Sequence, residues 1–434
     1  MVRRKWLAVF MVCLLGAALA GMFVAEGAVS PKTVSIPKNF SCTLTTWGWD
    51  ENYWNHVVAG FNKIYPNIKF EFTPVANGDY LQKLQTSLAA GTPLPDIPWA
   101  IIDSRGRAFE LDMWEPLNKA PYNMNPKDVY DYLIPIMKNS KGDICGVEQG
   151  MNPAALAYKR DLAKQYFGTD DPAQLSKLLP DWNTFVNKGK EVVAKSGGKV
   201  FLMQGIGDIY QIARDQNPAP WVEKNTVNAT RIFKPLLNRV VQFRDSKILD
   251  KLSAWTPAWY ASFGQDKYIF AGCAAWTPQY VIQPNDPNGK GNWGLMRAPG
   301  GNFSWGGTTL GISKQCKNKA AAWELVKFAT LSVEGAKAAH EVGFLSSYKA
   351  AYKDPEFASI KNEWFGGQDI GKYYINDVVP NIKLRPMSKY DNVIKDSLDL
   401  IVTSLNNDTK MTVADALPKL IQEIKNRAPE LAVK

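Results

Sequence analysis

Apolar residues recur along this chain in two alternating periods. Cys42 to Trp47 has the composition of a strand. Trp54, Val57, Val58, Phe61 and Ile64 then repeat at the spacing that gathers side chains on one helical face. Tyr65-Pro66-Asn67 stops that helix, and Ile68 to Phe72 alternates as a second strand. Strand, helix, strand predicts a mostly parallel sheet. Gly78 to Gly91 predicts a second helix with Leu81, Leu84 and Leu88 inward. Farther on, Lys199 to Gln204 reads as a buried strand, and Gly205 to Trp221 as a loop rich in Gly, Pro and aromatics. Ala271 to Ala275 predicts a strand that delivers Trp276 at its end. From Asn292 a strand ends in Ala298-Pro299, a turn carries Trp305 before Gly306-Gly307, and a strand spans Thr308 to Ser313. A helix follows with Ala321, Leu325 and Phe328 on one face. Two terminal helices turn Ile394, Leu398, Ile401 and Leu405, then Val413, Leu417, Leu420 and Ile424, inward. The second starts with a Thr412–Asp415 capping box, and Pro418 predicts a kink in it.

Size and termini change this picture. A chain of 434 residues is too long for one small core, so two lobes are expected. At its start, Arg3, Arg4 and Lys5 precede an apolar run from Trp6 to Ala20, with Ala18-Leu19-Ala20 as a small-residue cleavage site. Residues 1–28 therefore predict a secretory signal peptide and export to the periplasm or cell exterior. An uncleaved signal would keep the protein at the membrane. Cleavage removes three positive charges and Glu26, lowering the formal charge from +10 to +8. No block of five like charges and no basic helix accompanies that excess, which argues against nucleic acid. Four cysteines remain, Cys42, Cys145, Cys273 and Cys316, and their three possible pairings stay open. With two histidines, His56 and His340, and no CxxC, no metal site and no cofactor are expected.

Candidate chemistry gathers at strand ends, where open sheets of parallel strands place their ligands. Trp47, Trp49, Asp50 and Glu51 follow the first strand. Trp276 and Trp305 each follow a later strand and fit no helix stripe, although a tryptophan beside Gly-Gly also suits a core plug. Trp221 can line a site or simply pack its loop. The chain carries 15 Trp and 17 Tyr. Rings of this kind suit the C–H face of a sugar, while Asp, Asn, Gln and Arg suit its hydroxyl rim.

The order of these segments resembles that of the extracellular solute-binding proteins of family 1, the sugar-binding receptors of ABC importers. The resemblance is carried by Phe61 to Phe72 (FNKIYPNIKFEF), by Ala89-Ala90-Gly91-Thr92 with Pro95-Asp96-Ile97, and by Gly142 to Leu162 (GDICGVEQGMNPAALAYKRDL). Asp181 to Phe185, Phe263 to Tyr280, and Pro299 to Phe328 continue it. Glu148 departs from it, standing where the family usually has proline. The family implies a two-lobe periplasmic-binding-protein fold of α/β class, with discontinuous lobes joined by a hinge. Residues 29–150 plus 306–345 would form lobe 1, and 151–305 plus 346–434 lobe 2, with crossings near 148, 304 and 346. It implies a mono- or oligosaccharide held between the lobes, a membrane permease as partner, and a monomer. By analogy with maltose-binding relatives it adds Asp103, Ser104, Asn152 and Tyr390 to the candidate ligand contacts, with Glu148 and Gln149 bordering Asn152, and sets Trp276 where those relatives stack an aromatic on sugar; Gly306 joins the candidates by clearing space beside Trp305. Asp103 equally suits an N-cap for a helix through Phe109 and Leu111. The competing class is a secreted glycosidase or lyase, which would need two of Asp50, Glu51, Asp103 and Glu148 about 5–9 Å apart. A receptor for another solute, such as a polyamine or peptide, shares the fold.

Overall fold

The computed structural model describes residues 34–434; the expected signal peptide lies outside them. Strands β1 (Cys42–Gly48) and β2 (Ile68–Pro74) pair in parallel, Cys42 opposite Ile68 and Gly48 opposite Pro74. Between them runs the helix Glu51–Phe61, capped by Asp50, whose side chain accepts from the Tyr53 N–H. It buries Tyr53, Trp54, Val57 and Phe61. Ile64, expected on that face, lies beyond the helix end and is exposed. The helix Asn77–Ala90 buries Tyr80 and Leu84, with Leu81 and Leu88 half-buried, and closes on Gly91 at φ +66°. Only glycine takes that left-handed cap without steric cost.

Two further sheets carry the long-range topology. In the first, β10 (Thr308–Leu310) lies antiparallel between β3 (Trp99–Ile101) and β4 (Val147–Glu148). In the second, β5 (Pro153–Lys159) is flanked by β7 (Phe270–Ala274) and β8 (Trp293–Met296), and β9 (Phe303–Ser304) adds to β5. A short pair, β6 (Thr226–Val227) with β11 (Ala432–Val433), fastens the C-terminal end to the second body. One core gathers Leu44 to Val147 with Leu310 to Val342. Two more gather Ala154 to Val433 around the second sheet, one of them drawing in Leu133, Ile136 and Met151. The chain thus passes between bodies at 149–152, where β4 leads to β5, and at 305–307, where β9 leads to β10. A third passage adjoins Leu345, which bridges to Met151.

Several expectations change in detail. Lys199 to Gln204 forms no extended strand; it pairs only through single bridges, Phe201 with Tyr268 and Met203 with Leu249. The stretch read as a loop after Gly205 contains the helix Ile206–Asp215. The Asp208 carboxylate accepts from the Gly205 N–H at 3.0 Å, and Ile206, Ile209, Tyr210 and Ile212 pack inward. The strand from Asn292 ends at Met296, and the next ladder at Leu310 rather than Ser313, which bridges singly to Trp114. The last helix, Val413–Arg427, opens with the Thr412–Asp415 capping box and runs on through Pro418. Cys42, Cys145, Cys273 and Cys316 are all free. Among the described residues no helix is long and apolar enough to cross a membrane.

Candidate functional site

A cavity of about 430 Å³ opens between the two bodies, a volume in the usual range of small-molecule sites. The first body contributes Trp49 and Asp50 after β1, Asn77 at the start of the second helix, Ile101 to Asp103 at the end of β3, and Gln149 after β4. The second contributes an aromatic corner. Trp276 follows β7, Trp305 follows β9, and Trp255 stands in the turn before the helix Pro257–Ser262. Trp276 and Trp305 meet at 61° with ring centroids 5.1 Å apart. Trp255 lies 5.7 Å from Trp305 and nearly parallel to Trp276, at 24°. The corner is fixed from within by the Trp276 indole N–H, which donates to the Trp305 carbonyl at 3.0 Å.

Gly306 and Gly307 follow at φ +87° and +130°. A Cβ on Gly307 would collide with the Glu148 carboxylate, and one on Gly306 would sit 3.0 Å from the Trp276 indole nitrogen. The second crossing is therefore glycine because it passes between a ring and a buried acid.

Both arginines on the second wall arrive already paired. Arg214 donates to Asp215 at 2.9 Å, and both come from the helix end missed in the sequence. Arg385 pairs with Asp391 and lies 3.7 Å over the Trp221 ring. On the first wall Asp103 is exposed to the cavity. It does not cap a helix: the short turn Arg105–Ala108 begins at Ser104, whose side chain makes no capping bond. One bond spans the opening. The Tyr280 hydroxyl donates to Asp50 Oδ2 at 2.9 Å, while Asp50 Oδ1 caps its own helix. Burial and the Asp50 carboxylate push the Tyr280 hydroxyl well above its ordinary range, so it remains a donor.

Of the sequence candidates, Trp49, Asp50, Asp103, Gln149, Asn152, Trp221, Trp276, Trp305 and Gly306 line the cavity. Trp221 does so while packed against Phe233. The others lie elsewhere. Trp47 sits under the Lys83 ammonium, 4.5 Å from its ring. Glu51 is exposed in the first helical turn. Ser104 is not part of the lining, and Tyr390 is buried in the second body's core. Glu148 is sealed behind the cavity in a bidentate pair with Arg105, at 2.8 and 3.3 Å. Burial pushes its carboxyl up to about 7, with Arg105 pulling the other way. Trp255, Tyr280, Arg214 and Arg385 escaped sequence reasoning. A signal for Trp255 existed in the Trp-Thr-Pro sequence ahead of a helix; the others are placed by tertiary contacts alone.

Residues 56–363 match the family described as bacterial extracellular solute-binding protein. The chain belongs to that family. A lactose-binding protein of Rhizobium radiobacter is 24% identical over 75% of this chain and 70% of its own length. A crystal structure of an extracellular solute-binding protein of family 1 superposes with a TM-score of 0.80 at 23% identity, covering 89% of this chain and 99% of that one. The galacto-N-biose/lacto-N-biose I-binding protein of a Bifidobacterium longum ABC transporter, solved with lacto-N-biose, gives 0.72 at 18% identity over 91% and 99%. At these identities the structures establish the fold, which is the two-lobe periplasmic-binding-protein fold of mixed α and β structure. The family consists of exported binding proteins that serve transporters, not enzymes. The family therefore gives the glycosidase alternative no support.

Proposed function

We propose that this member captures a mono- or oligosaccharide in the cavity between its lobes and delivers it to the membrane permease of an ABC importer. The observation that carries this is the aromatic corner of Trp255, Trp276 and Trp305, half-open to a cavity rimmed by Asp103, Gln149, Asn152 and the Arg214–Asp215 pair. Apolar ring faces set beside planar hydrogen-bonding groups match the two surfaces of a pyranose. The lactose-binding relative supports the same ligand class. The proposed lobes are residues 29–150 with 306–345, and 151–305 with 346–434, after a signal peptide at 1–28. The Asp50–Tyr280 bond holds them together across the mouth. We expect a monomer acting in the periplasm or at the cell exterior.

Isothermal titration against lactose, maltose, cellobiose, galactobiose and chitobiose tests this reading. Saturable binding of at least one sugar, with a smaller radius of gyration by X-ray scattering in its presence, is the expected result. Steady release of smaller sugars, or binding to none of the panel and to polyamines or peptides instead, would overturn it.

A further inference from the structure

Trp255 occupies a backbone position that tryptophan avoids. Its φ is +69°, in the left-handed region that glycine and asparagine populate and bulky side chains do not. The local sequence explains why the backbone must turn there. Thr256 caps the helix Pro257–Ser262 by accepting the Trp259 N–H at 3.4 Å, and its hydroxyl donates back to the Ser253 carbonyl at 2.8 Å. Pro257 then restricts Thr256 to extended backbone, observed at φ −90° and ψ 160°. The left-handed residue in this closed turn would be least strained as glycine. The chain places an indole there instead.

That indole is not required by the core. Trp255 is 49% exposed, whereas Trp259, one helical turn on, is 2% exposed and donates to the buried Asp208 at 3.1 Å. Trp255 touches Trp259, Tyr260, Trp276 and Trp305 along one side and leaves the other to the cavity. Backbone strain retained under a half-exposed ring over a cavity is a feature of ligand clamps.

We propose that Trp255 is an affinity- and specificity-determining residue. It is held in strained backbone so that a third ring, nearly parallel to Trp276, adds to the stacking surface of the cavity. The ligand class is a saccharide of more than one ring, because three indoles in mutual contact, with centroids 5.1, 5.7 and 6.2 Å apart, offer more apolar surface than one pyranose face covers. This rests on the saccharide reading above.

The test compares Trp255→Gly and Trp255→Phe with wild type, using the five disaccharides of the panel and their monosaccharides glucose, galactose and N-acetylglucosamine. Glycine relieves the left-handed strain, so ligand-free Trp255→Gly is expected to melt at or above the wild-type temperature. Its affinity for the best disaccharide is expected to fall at least tenfold, with a smaller fall for the matching monosaccharide. Trp255→Phe is expected to keep most of the disaccharide affinity. A Trp255→Gly protein that melts several degrees lower without ligand would overturn the proposal by making the ring a packing element. So would unchanged disaccharide affinity, or an equal loss for both ring counts. Wild-type protein that binds none of the sugars would overturn the saccharide reading itself, while the ligand-free melting comparison would still decide what the ring does for the fold.

Discussion

The aromatic corner and the crossing junction adjoin at Gly306-Gly307 and are built on opposite terms. At the junction the charged groups are spent on one another. Arg105 is fully buried and gives its guanidinium to Glu148 and to the Ala100 carbonyl. Glu148 meets all three crossings, ending the strand that leads into the first, lying against Gly307 of the second, and accepting the Ser347 hydroxyl of the third at 2.7 Å through its carbonyl. At the corner the rings are half-exposed to the cavity, and the one internal bond is made by the edge of Trp276. A conspicuous acid or aromatic in sequence is therefore ambiguous. What separates architecture from recognition is whether its partners are inside the protein.

The largest expected effect tests the junction. Arg105→Ala leaves the Glu148 carboxylate buried without its partner and should lower stability by about 3–5 kcal/mol in urea unfolding. An apolar replacement of both, Arg105→Met with Glu148→Leu, should recover most of that. If the single variant were nearly neutral, the junction would be no more sealed than the corner.

A second effect comes from beneath the corner. Asp208 is buried between the Gly205 N–H and the Trp259 indole, and burial pushes its carboxyl up to about 7 from 3.8. Between those values the folded chain keeps a proton that the unfolded chain has lost. Stability should therefore fall as pH rises from about 4 to about 7, by up to roughly 4 kcal/mol for a shift of this size. Asp208→Asn should flatten this part of the melting-temperature profile.

At the corner the ordering of stability and affinity reverses. Trp276→Ala and Trp305→Ala should leave ligand-free melting near wild type, yet cost about 2 kcal/mol or more of sugar binding, as central aromatic anchors do. Early unfolding with normal binding by the folded fraction would place those rings with the junction. The smallest effect concerns the mouth. Tyr280→Phe removes one hydrogen bond and should weaken binding by about 0.5–1.5 kcal/mol, through faster dissociation in stopped-flow measurements, with the Asp50 helix cap unchanged.

Much of this was legible where one local rule acted alone. The β1–helix–β2 unit, the Gly91 stop, the capping box at Thr412 and the tryptophans after β7 and β9 follow from period, caps and strand ends. The helix Ile206–Asp215 was hidden because glycines at 205 and 207 and prolines at 218 and 220 frame it as a loop. Its inward isoleucines outweigh them. Arg105 and Glu148 are 43 residues apart, and Asp50 and Tyr280 are 230 apart. No period or spacing announces such pairs, so the sealing of Glu148 and the bond across the mouth emerge only from the fold.

The two antiparallel crossings have a mechanical consequence. Their ladder runs from Ala154 and Phe303 in one body to Val147 and Leu310 in the other. It is continued by the Trp305 N–H to the Asn152 carbonyl and the Gln149 N–H to the Thr308 carbonyl. It opens only at the glycine pair, where Met151 turns its N–H to Leu345 on the third passage. Such a ribbon resists slip along its length but yields to bending at the point where its rungs are missing. In the proposed receptor it acts as a leaf spring with a fixed fulcrum. A small change of angle at Gly306-Gly307 is levered into a large gap between Asp50 and Tyr280, and the sugar need only supply the torque.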